Sequence, residues 1–184
     1  MNWILIRASD AVVQPWRNGG GVTRELLAWP ASGDWAVRIS VADVSCAGPF
    51  STFRGVDRWF AVLKGSGVEL TVDGALHRVT RDDPALAFSG EAQVDCRLLG
   101  GATIDLNLMV RDRSARMEKV SGTWSARLRS ETLVAAFANG SDASLDCGGV
   151  VTRVPAGTLA WRLLASETRV QLTGDDAIWM EVEP

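Results

Sequence analysis

Apolar residues along this chain come in short runs, and Gly or Pro punctuates almost every gap between them. Residues 22–29, 35–44, 59–64, 68–72, 85–88, 94–99 and 103–110 are rich in aliphatic and β-branched side chains and short enough to be single strands. Many short strands at this spacing predict an all-β sandwich or barrel. Only 113–120 and 125–133 carry a briefly helical pattern, and the second could equally open a strand.

Two of these runs share an unusual division of faces. In 36–42, period-two alternation puts Val37, Ile39 and Val41 on one side and Arg38, Ser40 and Ala42 on the other. In 103–110 it sets Ile104, Leu106, Leu108 and Val110 against Thr103, Asp105, Asn107 and Met109. Such alternation ordinarily marks the solvated face of an antiparallel sheet. Exposed strands, however, avoid Asp and Asn and favour Thr, Lys and Glu, whereas these fronts use short or geometrically exacting groups. The interior of a small barrel can hold one ligand. An Arg facing an Asp there would be charge-paired, with guanidinium donors left to grip a carboxylate in bidentate fashion. Arg58 opens a further apolar strand, and its charge reads either as near the barrel mouth or as an ordinary surface group beside Asp57.

The stretch Pro15-Trp16-Arg17-Asn18-Gly19-Gly20-Gly21-Val22-Thr23-Arg24-Glu25 is a built turn. Three consecutive glycines permit torsions closed to other residues, at an entropic cost. A phosphate cradle would need the Lys-Ser/Thr of a P-loop or G-x-G-x-x-G spacing between strand and helix, and neither is present. A hairpin turn accounts for the glycines but not for Trp16, Arg17 and Asn18.

The 184 residues allow one large domain or two small ones, and 47% hydrophobic content is that of a globular protein. A net charge of −3 without Lys/Arg runs gives no footprint for nucleic acid. The N-terminal apolar run lacks the basic flank and length of a signal peptide, and no stretch reads as a membrane span, so a cytoplasmic protein is expected. Cys46, Cys96 and Cys147 form no zinc or disulfide pattern and read as small buried hydrophobes. His77 is the only histidine, too few for a His-based metal site or a nucleophile–His pair, so neither metal nor cofactor is expected. Sliding the chain on itself by 75 residues aligns Ala61 with Ala136, Gly65 with Gly140, Ser66 with Ser141, Gly74 with Gly149, Arg78 with Arg153, Val79 with Val154 and Ala85 with Ala160. About two identities would arise by chance over that window, so two related β units are expected.

Taken in order, P-W-R-N-G-G-G-x-T-R-E, W-x-x-R-I-S-x-A, G-P-F-S-x-F-x-G-x-D-R, L-x-G-x-G and D-L-N-L-M-V-R resemble the HutD/Ves family closely over residues 2–113, and weakly to the C-terminus. The resemblance implies a bicupin: residues 1–115 a first cupin-like barrel with a polar pocket, 116–184 a second and smaller unit, with the N-terminal strand able to cross over. It further implies a metal-free binder of a small carboxylate such as urocanate or a formyl- or formimino-glutamate compound, regulating histidine utilisation, or a stress-linked protein of the Ves kind. A metal-free isomerase or hydrolase, with Glu25 or Asp105 as general acid/base, is the alternative. Alternation supplies Arg38, Ser40, Asp105 and Asn107, the resemblance implies the same four and adds Trp16, Asn18, Glu25, Phe53 and Arg58 as ligand-binding residues, and no catalytic residue is assigned. Arg17 stands where the family has Lys at least as often. The second unit is expected to be scaffold or the surface of a homodimer.

Overall fold

The computed structural model describes residues 2–183. In chain order the elements are β1 (Ile4–Arg7), a 3-10 turn (Ala8–Asp10), β2 (Val13–Pro15), β3 (Gly21–Pro30), β4 (Trp35–Val44), β5 (Gly48–Pro49), β6 (Asp57–Lys64), β7 (Val68–Val72), β8 (Ala75–Val79), β9 (Leu86–Ser89), β10 (Val94–Leu98), β11 (Thr103–Val110), β12 (Ala115–Arg127), β13 (Thr132–Ala138), β14 (Ala143–Cys147), β15 (Val150–Val154), β16 (Thr158–Leu164) and β17 (Arg169–Val182). The all-β expectation holds, and the runs at 35–44, 68–72 and 103–110 coincide with β4, β7 and β11.

The helical pattern after residue 113 is a strand instead. Met117 and Val120 are both buried, at 5% and 6% exposure, and three residues apart on a strand they occupy opposite faces. Apolar spacing of three therefore reports two covered faces of β12, which pairs with β17 along its length.

The chain divides into two compact units: Val12–Asp112, and residues up to Ala11 together with those from Arg113 onward. β1 pairs with β16 and so belongs with the C-terminal strands, the crossover that the division at 115/116 left open. In the Val12–Asp112 unit one sheet runs β2-β3-β4-β11-β6-β9 and another β5-β10-β7-β8. Phe60, Val62 and Ala42 of the first pack in one core with Leu70, Val79, Val94 and Cys96 of the second. Val37, Ile39, Leu106 and Leu108, on the reverse face of β4 and β11, are fully buried. Both faces of these two strands are covered, which explains why their polar front carries so few charges.

The other unit is a seven-stranded sheet, β1-β16-β13-β17-β14-β15 with β12 beside β17, around a core that includes Trp179, Leu145 and Leu172. The sequence echo is architectural: the pair Val68↔Val79 of the β7–β8 hairpin recurs 75 residues on as Ala143↔Val154 in β14–β15. Likewise Asp57↔Ser89 of β6–β9 recurs as Thr132↔Leu164 of β13–β16. The echo is imperfect in one respect. Phe60 and Val62 enter the first core and Val134 and Ala136 the second, all even-numbered, so a 75-residue shift exchanges the faces of β6 and β13. The Ala61/Ala136 identity is thus not a structural equivalence.

Two smaller expectations resolve differently. His77, the one histidine, lies half-buried on the edge strand β8. Only Cys96 among the cysteines is a buried hydrophobe; Cys46 is exposed and Cys147 half-buried. Among the described residues no helix is long and apolar enough to cross a membrane.

Candidate functional site

Antiparallel register places the polar fronts side by side. Glu25 of β3, Ser40 of β4, Asn107 of β11 and Phe60 of β6 form one cross-strand row. The next row runs Ala28, Arg38, Met109, Arg58 and, on β9, Phe88. A third holds Thr23, Ala42, Asp105 and Val62. Side chains in such rows share one face and stand within reach of their neighbours. Of these, Thr23, Arg38, Ser40, Ala42, Arg58, Phe60, Asn107 and Met109 line a cavity of about 540 Å³, a volume suited to a small molecule.

Trp16, Arg17, Asn18, Arg38, Ser40, Phe53, Arg58 and Asn107 all line this cavity, joined by Phe50, Ser51, Phe60, Thr23 and Met109. The loop that carries the first three is held by backbone bonds from Trp16 N to Gly21 O at 2.9 Å and from Gly19 N to Trp16 O at 3.0 Å. Asn18 Oδ1 accepts from Gly20 N at 3.0 Å, and the Trp16 indole donates to Thr23 Oγ1 at 2.7 Å. The Trp16 ring meets Phe50 edge-on at 6.1 Å. A Cβ on Gly21 would lie 2.4 Å from the carbonyl oxygen of Asp43 and 3.3 Å from the Trp16 ring. Gly21→Ala is therefore expected to lower unfolding stability by about 1–3 kcal/mol, measured by urea denaturation, and to loosen Trp16 with it; a variant as stable as the parent would contradict this packing.

Arg58 is the centre of the cavity's chemistry. It is only 5% exposed. Its Nη1 donates to Ser51 O at 3.2 Å and its Nη2 to Asn107 Oδ1 at 3.3 Å, while Nε has no partner. The guanidinium carbon lies 5.0–5.6 Å from the ring centres of Phe50, Phe53 and Phe88, within range for cation–π attraction. No acidic side chain pairs with it among the described residues. Burial, and then the neighbouring charge of Arg38, push its pKa down to about 10; it stays protonated at neutral pH, as a buried cation with neutral neighbours.

Arg38 is held differently. Its Nε donates to Glu25 Oε2 at 2.7 Å, and both side chains are mostly covered. Two expected binding residues are thereby reassigned. Glu25 does not line the cavity but fixes Arg38 from beside it. Asp105 does not line it either: fully buried, it accepts from Thr103 Oγ1 at 2.8 Å, and its other oxygen has no partner. The expected Arg–Asp pair does not form, because Arg38 stands opposite Met109 and Asp105 opposite Ala42, roughly 13 Å apart along the strand direction. Burial above all raises the Asp105 carboxyl to about 7; the Thr103 hydrogen bond opposes this and the charge of Asp43 adds to it. The same burial, with Asp105 nearby, pushes the Cys96 thiol up to about 12.

Phe50, Phe60 and Phe88 are site residues that reading by type assigns to the core. Phe60 was detectable, since it shares the Arg58 face of β6 two residues on, and Phe50 flanks Ser51 in the G-P-F-S-x-F stretch. Phe88 reaches Arg58 only through the β6–β9 register, which has no local signal. Among the described residues no group of three or more His, Cys, Asp or Glu side chains could hold a metal ion.

Comparison with known proteins agrees with this architecture. The sequence profile of the HutD family matches residues 8–183. An uncharacterised 21.2 kDa protein in the hutC 3′ region of Pseudomonas putida is 41% identical over 149 residues, 79% of this chain and 78% of that one. Protein Ves of Cronobacter sakazakii is 36% identical over 107 residues, 58% of this chain and 59% of its own. The structure of HutD from Pseudomonas fluorescens SBW25 superposes with a TM-score of 0.84 at 28% identity, covering 98% of each chain. At 8% identity and a TM-score of 0.64, Bacillus subtilis oxalate decarboxylase shares the cupin fold over 97% of this chain and 76% of its own. With its profile match spanning nearly the whole chain, and the P-W-R-N-G-G-G loop and the Arg38 and Arg58 strands set around one cavity, this protein belongs to the HutD family.

Proposed function

We propose that the Val12–Asp112 unit binds a small carboxylate metabolite and thereby acts as a metabolite-responsive regulator in histidine utilisation. The observation that carries this is Arg58: a buried guanidinium with an unpartnered Nε and no acidic neighbour, at the wall of a cavity. A buried charge is costly unless paired, and a carboxylate entering the cavity would supply the pair with charge-assisted hydrogen bonds. Ser40, Asn18 and Asn107 offer neutral hydrogen-bonding groups for the rest of the ligand, and Trp16, Phe50 and Phe53 offer flat apolar contact. The link to histidine utilisation is supported by the Pseudomonas putida relative's place in the hutC 3′ region. Likeness to protein Ves keeps the Ves-like branch as the second reading.

A binder is favoured over a metal-free hydrolase or isomerase because neither carboxyl considered as acid/base, Glu25 or Asp105, lines the cavity. Calorimetric titration with urocanate and formimino-glutamate tests the proposal. At least one is expected to bind with a Kd of about micromolar, weakened about a hundredfold or more by Arg58→Met. Absence of heat with every such acid would end the carboxylate reading.

A further inference from the structure

The two units build their interiors alike. In the Val12–Asp112 unit the cross-strand row of Phe60, Asn107 and Ser40 faces inward and lines the cavity already described. In the other unit Val134, Glu181 and Arg116 form the same kind of row across β13, β17 and β12. Phe60 and Val134 each lie in the core of their own unit, as do Val62 and Ala136 two residues along. Arg116 and Glu181 therefore take the strand positions of Ser40 and Asn107, and they too line a cavity, of about 400 Å³. Two neutral groups are replaced by an ion pair.

That pair is firmly held. Arg116 Nε donates to Glu181 Oε2 at 2.9 Å and its Nη2 to Oε1 at 2.6 Å, while the Trp179 indole donates to the same Oε1 at 2.7 Å. Glu181 is buried, and the Trp124 ring lies 5.4 Å from the guanidinium carbon. A guanidinium has five donors, and Glu181 occupies only one edge of this one. The end of Arg116 that carries Nη1 is left for a ligand.

Two opposite charges in the same wall have no partner in the protein. Arg129, which follows the buried Leu128, is exposed and makes no ion pair among the described residues. Glu183 is half-buried and tethered by its backbone N, which donates to Ser114 O at 2.8 Å, yet its carboxylate pairs with nothing among the described residues. Arg127, the remaining cation of the wall, pairs with Glu167 outside it, both exposed, an arrangement of little energetic weight. A simple anion would be repelled by Glu183 and a simple cation by the arginines. A molecule carrying both charges satisfies the wall.

We propose that this second cavity binds a small zwitterion of the α-amino acid class, its carboxylate on Arg129 and the free end of Arg116 and its ammonium on Glu183. The site is separate from the carboxylate site of the first unit, whose lining contains no acidic side chain to receive an ammonium. Ser114 and Ser125 in the wall offer hydroxyls to a neutral polar side chain.

The test is calorimetric titration with L-glutamine, N-acetyl-L-glutamine, which lacks the ammonium, and L-glutamine amide, which lacks the carboxylate. L-glutamine is expected to bind the parent protein, and each capped form about tenfold more weakly or worse. Glu183→Gln should weaken L-glutamine by a similar factor without weakening the N-acetyl form, and Arg129→Gln should weaken L-glutamine without weakening the amide. In Arg58→Met, which removes the carboxylate site of the first unit, L-glutamine should bind as in the parent. No heat with L-glutamine, or capped forms that bind as tightly, overturns the proposal. So does binding that survives Glu183→Gln or disappears in Arg58→Met, the latter placing the amino acid in the first cavity; none of these results bears on whether that cavity takes urocanate.

Discussion

Arg58→Met is expected to abolish carboxylate binding and at the same time to raise the stability of the ligand-free protein. With its pKa held down to about 10 from 12.5, the guanidinium is at neutral pH about 3 kcal/mol less favourable in its place than in water. Three aromatic rings and two neutral oxygens offset part of that cost. Met matches the apolar stem and fills the space between Phe50, Phe53 and Phe88, while Ser51 and Asn107 remain on the cavity wall, where water can reach their oxygens. Replacing buried charge by packed apolar groups of similar volume is typically neutral or stabilising by about 1–4 kcal/mol, so urea unfolding should show a higher midpoint with an unchanged slope. A carboxylate ligand should bind at least a hundredfold more weakly. Arg58→Lys is expected to recover little, since an ammonium cannot present the guanidinium's two parallel donors. A residue that costs stability and repays it only in ligand affinity is the mark of a functional site. Loss of stability together with intact binding would make Arg58 a scaffold group.

Asp105→Asn is expected to change the pH dependence of stability rather than binding. The Asp105 carboxyl titrates near 7 in the folded protein against 3.8 when exposed. Between those values the folded state holds a proton that the unfolded chain has lost, so this group's contribution to stability is fullest below about pH 4 and falls as pH rises toward 7. The slope is about 1.4 kcal/mol per pH unit, with a total of up to about 4 kcal/mol. Asn keeps an acceptor for Thr103 but cannot ionise. The variant should therefore be more stable than the parent at pH 8 and lose that advantage at pH 5. Parallel stability curves for the two proteins would show that Asp105 ionises freely.

The faces of the site were legible before its depth. Period two in 36–42 and 103–110 placed Arg38, Ser40, Asn107 and Asp105 on the correct side of their strands, because both strands are covered on the aliphatic face and their alternation is strict. Periodicity says nothing of position along the strand axis relative to a neighbour, and so alternation alone allows Asp105 to face Arg38 although the register sets it opposite Ala42. Glu25 was legible as polar and close by, but not as the group that matches Arg38. Phe50 and Phe88 beside Arg58, and Phe60 near them, look like any core aromatics until β9 is laid beside β6 and Phe50 is folded over Phe60. In the C-terminal part, β12 escaped notice because both of its faces are covered near Met117 and Val120, which erases the alternation that announces a strand. The N-terminal strand was open in sequence because its pairing with β16 spans nearly the whole chain.

The glycine loop gains its meaning from the same geometry. Gly21 is small because the backbone of Asp43 and the ring of Trp16 occupy the space a side chain would need, and this close approach puts Trp16 and Asn18 at the cavity that Arg58 closes from within. Loop and strands form one site.

The central claim, that Arg58 is held unpaired for a ligand's carboxylate, is tested most directly by a crystal structure of the protein with trans-cinnamate or urocanate. The account predicts carboxylate oxygens about 2.7–2.9 Å from the Arg58 guanidinium nitrogens, the free Nε among them, with the flat body against Phe50 and Phe53. A carboxylate found instead on Arg17 or Arg38, with Arg58 untouched, would contradict it.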